Sequence, residues 1–238
     1  MGYLVKIPFR LIWMIVASCP LLAFFFCVSW SLLENFEEST STHCNVPNYL
    51  PSISTAVGTF NPQKYIWRIG IAFHCTPRFL VTLMYYNYFR NSFLPESKWQ
   101  SLVKILFYFQ VSEIFSLVGL SYISSSEDFD THKNLFVTFL FTALVSMSLV
   151  YALIKYGINN MQSRLEQKSL RLKFILLMIN CFAFCLSMYF YMRHNWYCEP
   201  GMYTLFAFAE YIVVLSNIGY HLTSMWDFSN QFIIVATT

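Results

Sequence analysis

The chain has 238 residues and a formal net charge of +3, with hydrophobic residues at 57% and charged residues at only 11%. Soluble domains carry roughly 25% charged residues, so this composition excludes a water-soluble globule. Aromatic residues at 20% exclude a disordered chain. The small net charge, which is spread along the chain, excludes a nucleic-acid-binding protein. The composition indicates a protein embedded in a lipid bilayer.

Six hydrophobic runs have almost no charge and lengths close to the ~20 residues that a helix needs to cross a bilayer. Backbone polar groups must be paired in lipid, so runs of this length indicate helices rather than barrel strands. We predict an all-α integral membrane protein: a six-transmembrane-helix bundle that forms one domain over residues 1–238, with a lumenal loop at residues 34–65. The first run is too long for a cleavable signal peptide and is predicted to be retained. The predicted helices are Leu11–Leu33, Ile66–Phe89, Leu102–Ile123, Leu135–Ile154, Phe174–Met192 and Met202–Leu222.

The distribution of basic residues predicts the orientation of the bundle. With the N-terminus in the cytosol, 10 of the 15 Lys and Arg residues lie on the cytosolic side, and 5 lie in the lumen or the membrane. Cytosolic loops carry an excess of Lys and Arg, so both termini are predicted to be cytosolic.

Two of the seven cysteines, Cys44 and Cys198, lie in loops that this orientation places in the lumen. An oxidising lumen favours a disulfide between them, which requires Cα atoms within about 7 Å. The alternative is two free surface thiols. The other five cysteines lie within the predicted helices, where free Cys behaves as a small hydrophobic residue.

Several polar residues lie inside the predicted helices, where each is costly and usually faces the interior of a bundle. We predict that helices two, three and six meet around a lumen-facing cavity lined by His74, Arg78, Glu113 and Glu210. In the alternative, Arg78 only pairs with a carboxylate to fix the packing. Helices one and four contain no charged residue and are predicted to be lipid-facing walls. The polar residues are His74 and Arg78 in helix two, Glu113 in helix three, and Glu210, Asn217 and His221 in helix six.

A lipid-modifying site needs a base that activates a hydroxyl group or water, and His is the usual one. The candidates are His74 in the cavity and His194 at its lumenal rim. His194 precedes Glu199, which is similar to the His-x4-Asp arrangement of glycerolipid acyltransferases but has Glu in place of Asp.

Two other arrangements remain open. A nucleophile, base and carboxylate could be drawn from Ser126, His194 and Asp128. A zinc site from His43, His132, His194 and Asp128 lacks the usual ligand spacing, so no metal and no cofactor is predicted.

Five motifs, in the same order along the chain, resemble the branch of the Frag/DRAM/Sfk-type family that acts on GPI anchors. The resemblance runs from helix one to Asp227 and does not include the cytosolic loops. The motifs are HCNVPNYLPS at 43–52, PRFL at 77–80, SSSEDF at 124–129, RHNWYCE at 193–199 and WDF at 226–228.

The resemblance implies a multi-pass protein of the Golgi membrane, with the endoplasmic reticulum membrane as the alternative location. It implies fatty-acid remodelling of GPI anchors, in which a lyso-GPI-anchored protein is reacylated with a saturated chain. Its partners would be GPI-anchored proteins and membrane lipids, and it leaves open whether a separate acyltransferase is needed.

Three hypotheses follow: a lyso-GPI O-acyltransferase, a non-catalytic lipid-binding partner that presents lyso-GPI proteins to a separate enzyme or carrier, and a structural membrane protein. In the first, Arg68 and Arg193 would bind the inositol phosphate, because guanidinium pairs bidentately with phosphate. His74 or His194 would deprotonate the sn-2 hydroxyl group. The candidate catalytic residues are His74, Glu113, His194 and Glu210, and the candidate substrate-binding residues are Arg68, Arg78, Asp128, Arg193 and Asn195.

Overall fold

The computed structural model describes residues 3–93, 98–158 and 163–236, and the rest of the predicted domain 1–238 lies outside the described residues. Most of the described chain is helical, and a short π-helical turn at Leu153–Gly157 continues the helix that ends at Ala152. The other elements, in chain order, are β1 (Tyr3–Pro8), α1 (Phe9–Glu34), α2 (Phe36–Thr40), α3 (Ile53–Gly58), α4 (Gln63–Ser92), α5 (Lys98–Tyr122), α6 (Phe129–Ala152), α7 (Arg164–Tyr197), α8 (Met202–Leu222), α9 (Ser224–Asp227) and β2 (Phe232–Ala236).

Five helical segments among the described residues are long and apolar enough to cross a membrane. The remaining predicted run, Ile66–Phe89, lies in α4, which has 30 residues and is about 45 Å long at 1.5 Å per residue. Its Arg68, His74 and Arg78 make it more polar, and it is not among the five. The helices therefore support a multi-pass membrane protein. The five segments are Phe9–Glu34, Lys98–Tyr122, Phe129–Gly157, Arg164–Tyr197 and Met202–Asp227.

One helix, α7, is much longer than the hydrophobic run that predicted it. It has 34 residues and begins at Arg164, ten residues before Phe174. The polar segment is helical because Ser163 and Glu166 form a capping box. The Ser163 side chain accepts a hydrogen bond from a backbone N–H in the first turn, and the Glu166 side chain accepts one from the backbone N–H of Ser163.

The helical fold agrees with the predicted all-α class, and a small two-stranded antiparallel sheet of β1 and β2 is added to it. Lys6 pairs with Ile234 in its register, and the N–H of Phe9 donates to the carbonyl of Gln231 at 3.0 Å. The strands come from the two ends of the chain, so both ends of the described chain lie together. The hydrophobic runs that predicted the helices carry no signal for the pairing of these two strands.

The first helix, predicted to be a lipid-facing wall, exposes apolar side chains such as Leu22 and Phe25 on one side and lines the interior of the bundle with the other. α1 packs against α4 and α8, and Trp13 is buried, with its Nε1 donating to the carbonyl of His221 at 3.0 Å. A helix without charge can thus line the interior as well as face lipid. The helix α7 also exposes a broad apolar face, which includes Phe174, Met178 and Phe182.

The predicted lumenal loop is folded onto the turn between α7 and α8. Cys44 and Cys198 form a disulfide with a Cα–Cα distance of 5.3 Å, which confirms the predicted pairing. Nearby, the N–H of Gly201 donates to the carbonyl of Pro47 at 3.2 Å, and the N–H of Tyr49 donates to a threonine hydroxyl of α8 at 2.9 Å. The disulfide thus fixes a loop that already packs against the bundle.

Replacing Cys44 with Ser should lower the free energy of unfolding by about 3–5 kcal/mol in the chain-entropy model, because the bridge closes a sequence separation of 154 residues. Thermal unfolding of the purified protein in detergent measures this loss. Replacing Cys185, an exposed free cysteine, is the control and should change the midpoint little. Equal midpoints for the Cys44 variant and the wild type would contradict the prediction.

Candidate functional site

Three helices meet at a buried ion pair in the middle of the bundle. The Nη2 of Arg78, on α4, lies 2.8 Å from the Oε1 of Glu113, on α5, and the exposed fractions of these side chains are 4% and 0%. The Nε2 of His221, on α8, lies 3.0 Å from the same Oε1 and 2.8 Å from the Arg78 Nη2. The predicted convergence of helices two, three and six is therefore present, and His221 completes it.

His74 lies one turn before Arg78 but does not join the ion pair. Its ring is buried 6.0 Å from the ring of Trp13, and its Nδ1 has no hydrogen-bond partner within the described ranges. The polar residues of α4 are therefore divided between two environments.

A cavity of about 70 Å³ lies beside this centre and is mostly apolar. His74 and Glu210 lie in its wall, whereas Arg78 and Glu113 are not among its lining residues. The predicted cavity with all four residues is thus corrected: the strongest attraction, between guanidinium and carboxylate, draws Arg78 and Glu113 together and away from it. The volume is large enough for a few waters or a small part of a ligand.

Glu210 attaches the predicted lumenal loop to α8. Its Oε2 accepts a hydrogen bond from the N–H of Ile53 at 2.8 Å, and the next residue, Tyr211, donates from its hydroxyl to the carbonyl of Pro51 at 2.6 Å. Both bonds hold α3 over the cavity. This candidate catalytic carboxylate therefore has a partner from the loop.

A serine and a histidine face the same cavity from α3 and α6. The Oγ of Ser54 lies 2.9 Å from the Nε2 of His132, and the Nδ1 of His132 lies 2.7 Å from the carbonyl oxygen of Ile123. The sequence suggests a role for His132 only as a zinc ligand, and it suggests no role for Ser54. The two are 78 positions apart, and no spacing rule connects them.

Four of the predicted substrate-binding residues lie near this end of the bundle, in α4, in α7 and at the N-cap of α6. Arg68 donates to the carboxylate of Glu127 at 3.1 Å, and Arg193 pairs with Glu199 through both nitrogens. Asp128 caps α6 by accepting from a backbone N–H at 3.1 Å, and Asn195 is half-buried. Glu199 therefore binds Arg193 instead of forming a pair with His194.

His194 is buried at 1% exposure beneath the disulfide. Its ring lies 5.0 Å from the ring of Tyr203 and 5.4 Å from that of His43, and neither ring nitrogen has a hydrogen-bond partner in the described part of the chain. The set of Ser126, His194 and Asp128 is therefore not hydrogen-bonded together. His43 also lies near both disulfide sulfurs, but a disulfide offers no thiolate to a metal.

A second buried charge cluster, which the sequence pattern does not predict, lies at the opposite end of the bundle. Lys173, predicted to be a cytosolic loop residue, is fully buried, and its Nζ lies 2.7 Å from the Oδ2 of Asp227. It also donates to Ser169 at 2.7 Å and to Thr223 at 2.6 Å, and Tyr85 donates to Asp227 at 2.5 Å. This cluster holds α7, α9 and α4 together beside the two strands.

Glu127 should give the stability of the protein a pH dependence. Hydrogen bonds from Lys64, and then from the backbone and hydroxyl of Ser124, lower the pKa of its exposed carboxyl from 4.5 to about 2. A carboxyl whose pKa is lowered by folding stabilises the folded state above pH 4.5, and this contribution disappears as the pH falls towards 2. Glu127→Gln should therefore be less stable than wild type at neutral pH, and the difference between their unfolding midpoints should shrink in that window. A constant difference would contradict the prediction.

Comparison with known proteins finds one family model over most of the chain. The model described as the Frag1/DRAM/Sfk1/Cwh43P N-terminal domain matches residues 8–231. "Acyltransferase PGAP2" of Xenopus tropicalis is 42% identical over 220 residues, which cover 92% of this chain and 87% of that protein. "Post-GPI attachment to proteins factor 2" is 43% identical in Drosophila melanogaster, with 94% and 88% covered, and 38% identical in Caenorhabditis elegans, with 99% and 91% covered. No solved structure matches.

Proposed function

This chain belongs to the Frag1/DRAM/Sfk1/Cwh43P family, and on that premise we propose that it acts in the fatty-acid remodelling of GPI anchors, by reacylating lyso-GPI-anchored proteins with a saturated chain. The observation that carries the proposal is the identity of 42–43%, over about nine tenths of both chains, with relatives named as an acyltransferase and as a post-GPI attachment factor. The family model matches residues 8–231, the range within which the whole candidate site lies.

The cavity between α3, α6 and α8 is the proposed reaction site. Sites for small apolar ligands are mostly apolar with a few polar groups, and this cavity has that character. Of the candidate catalytic residues, it contains His74 and Glu210. Glu113 is bound to Arg78, so its proposed contribution is to hold the three helices around the cavity.

The helix ends and loops on the proposed lumenal side form the proposed binding surface for the headgroup. Arg68 and Arg193 would bind the inositol phosphate, and Asp128 and Asn195 would contact the glycan. His194, packed beneath the disulfide, would support this surface. GPI-anchored proteins and membrane lipids are the proposed ligands, and the Golgi membrane is the proposed location.

We propose a six-helix topology with both termini in the cytosol. The pairing of β1 with β2 supports it, because a chain whose two ends lie together crosses the membrane an even number of times. Five spans alone would separate the ends, so α4 is counted as the sixth. The positive-inside bias supports the cytosolic side for the ends.

Single cysteines that replace the exposed residues Ser41 and Gln167 should test this topology. In sealed Golgi-enriched vesicles, an impermeant maleimide should label Gln167→Cys at once, and Ser41→Cys only after detergent is added. The same chain without either cysteine is the control. Labelling of both variants from one side would contradict the topology.

The function itself should be tested in cells that lack their own copy of this activity. Expression of the chain should restore saturated chains at the sn-2 position of GPI anchors, measured by mass spectrometry of the lipid released from a GPI-anchored reporter. A persistent lyso form, in cells where the protein reaches the Golgi at normal levels, would contradict the proposal.

A further inference from the structure

We propose that Ser54 is the nucleophile of the acyl transfer and that His132 is its general base. This inference rests on the proposed function and adds the residues that would carry the acyl group. It starts from the hydrogen-bonded pair that faces the cavity from α3 and α6.

The hydrogen bonds of His132 determine the direction in which the pair transfers a proton. The carbonyl oxygen of Ile123 can only accept, so the Nδ1 of His132, 2.7 Å away, carries the ring hydrogen. In the neutral ring the Nε2 is then an acceptor, and the Ser54 hydroxyl donates to it at 2.9 Å. An activated serine requires this arrangement: a nucleophile in contact with a base that a third group orients.

The surroundings also suit a reaction rather than a purely structural bond. His132 has an exposed fraction of 8%, Ser54 is half-buried, and both line the largely apolar cavity. An acyl carbonyl that enters the cavity would therefore meet the serine oxygen. Glu210 holds the N–H of Ile53, the residue before Ser54, at 2.8 Å, and so fixes the position of the serine on α3.

The reaction would take place in two balanced steps. In the first, the Ser54 Oγ attacks the carbonyl carbon of a phospholipid acyl ester, and the hydroxyl proton passes to the His132 Nε2. The ester C–O bond breaks, and the lysophospholipid leaves with the proton from His132. In the second, the sn-2 hydroxyl of the lyso-GPI attacks the acyl-serine ester and gives its proton to His132. The acyl chain moves to that oxygen, and Ser54 recovers its proton.

A serine-reactive fluorophosphonate on the purified full-length protein provides the test, with intact-mass and peptide mass spectrometry as the readout. We expect one adduct on Ser54 in the wild type and none in Ser54→Ala. His132→Gln should slow its formation roughly 10²–10⁴-fold, the usual contribution of a general base. Thr59→Ala removes an exposed hydroxyl at the end of α3 and should react like the wild type.

A second variant covers the case in which Ser54→Ala does not fold. Ser54→Cys keeps a nucleophile, and incubation with a phospholipid donor should give a hydroxylamine-sensitive thioester at that residue. The proposal would be overturned by a folded wild type without a fluorophosphonate adduct on Ser54 together with a folded Ser54→Cys without a thioester. Full acyl transfer by Ser54→Ala would also overturn it. Adducts on Ser54 without transfer to lyso-GPI would support the serine but contradict the proposed function.

Discussion

Replacing Arg78 with Met should lower the free energy of unfolding by about 3–5 kcal/mol, because it leaves the Glu113 carboxylate buried without its partner. The Nε2 of His221, 3.0 Å from the same carboxylate oxygen, would remain its nearest side-chain partner. Thermal unfolding in detergent, together with the fraction of monodisperse protein, measures the loss. Lys133→Met, in the exposed pair with Asp130, is the control and should change stability little.

The double variant Arg78→Met with Glu113→Gln should recover part of that stability, since neither charge is then buried alone. Glu113→Gln by itself should be less stable than the wild type, because Arg78 then has only a neutral acceptor. If Arg78→Met unfolded at the wild-type temperature, the buried pair would not hold the three helices together.

Replacing Lys173 with Met should have an effect of similar size, about 3–5 kcal/mol, at the opposite end of the bundle. Asp227, with 10% exposure, would keep its charge and lose its only ion-pair partner among the described residues. Because α9 precedes β2, the C-terminal strand should also become sensitive to proteolysis. Lys168→Met, which removes an exposed lysine over the ring of Trp226, is the control.

The result for Lys173 is informative if stability and proteolysis change together. Loss of stability without new cleavage near the C-terminus would mean that the cluster supports α7 alone. Unchanged stability would contradict a structural role for the buried lysine.

The sequence predicted those features that follow from the cost of a charge or thiol in its environment. An isolated guanidinium in a bilayer is costly, so the sequence indicates the pairing of Arg78 with a carboxylate as the alternative to a cavity lined by all four residues, and the structure contains this pair. The disulfide followed from the two cysteines that the orientation placed in the lumen, and it is confirmed. Both predictions needed only local composition and the side of the membrane.

Features that depend on how distant segments fold together could not be predicted. Ser54 lies in a turn-rich loop and His132 in the first turn of a helix, and only the folded loop brings them to 2.9 Å. Lys173 directly precedes the predicted helix that begins at Phe174, where a basic residue is common. Only the longer helix α7 places it inside the bundle, where it is buried. The strands at the two chain ends are short and pair only with each other.

The most direct test of the central claim uses the purified protein alone. Liposomes would contain the protein, a lyso-GPI-anchored protein and a phosphatidylcholine whose saturated acyl chain carries an isotope label. We predict that the label appears at the sn-2 position of the GPI anchor without any other protein, and that the Thr59→Ala variant gives the same rate. Folded, monodisperse protein that transfers no label, but supports transfer once Golgi membranes are added, would show that it presents the lipid to another enzyme and would contradict this claim.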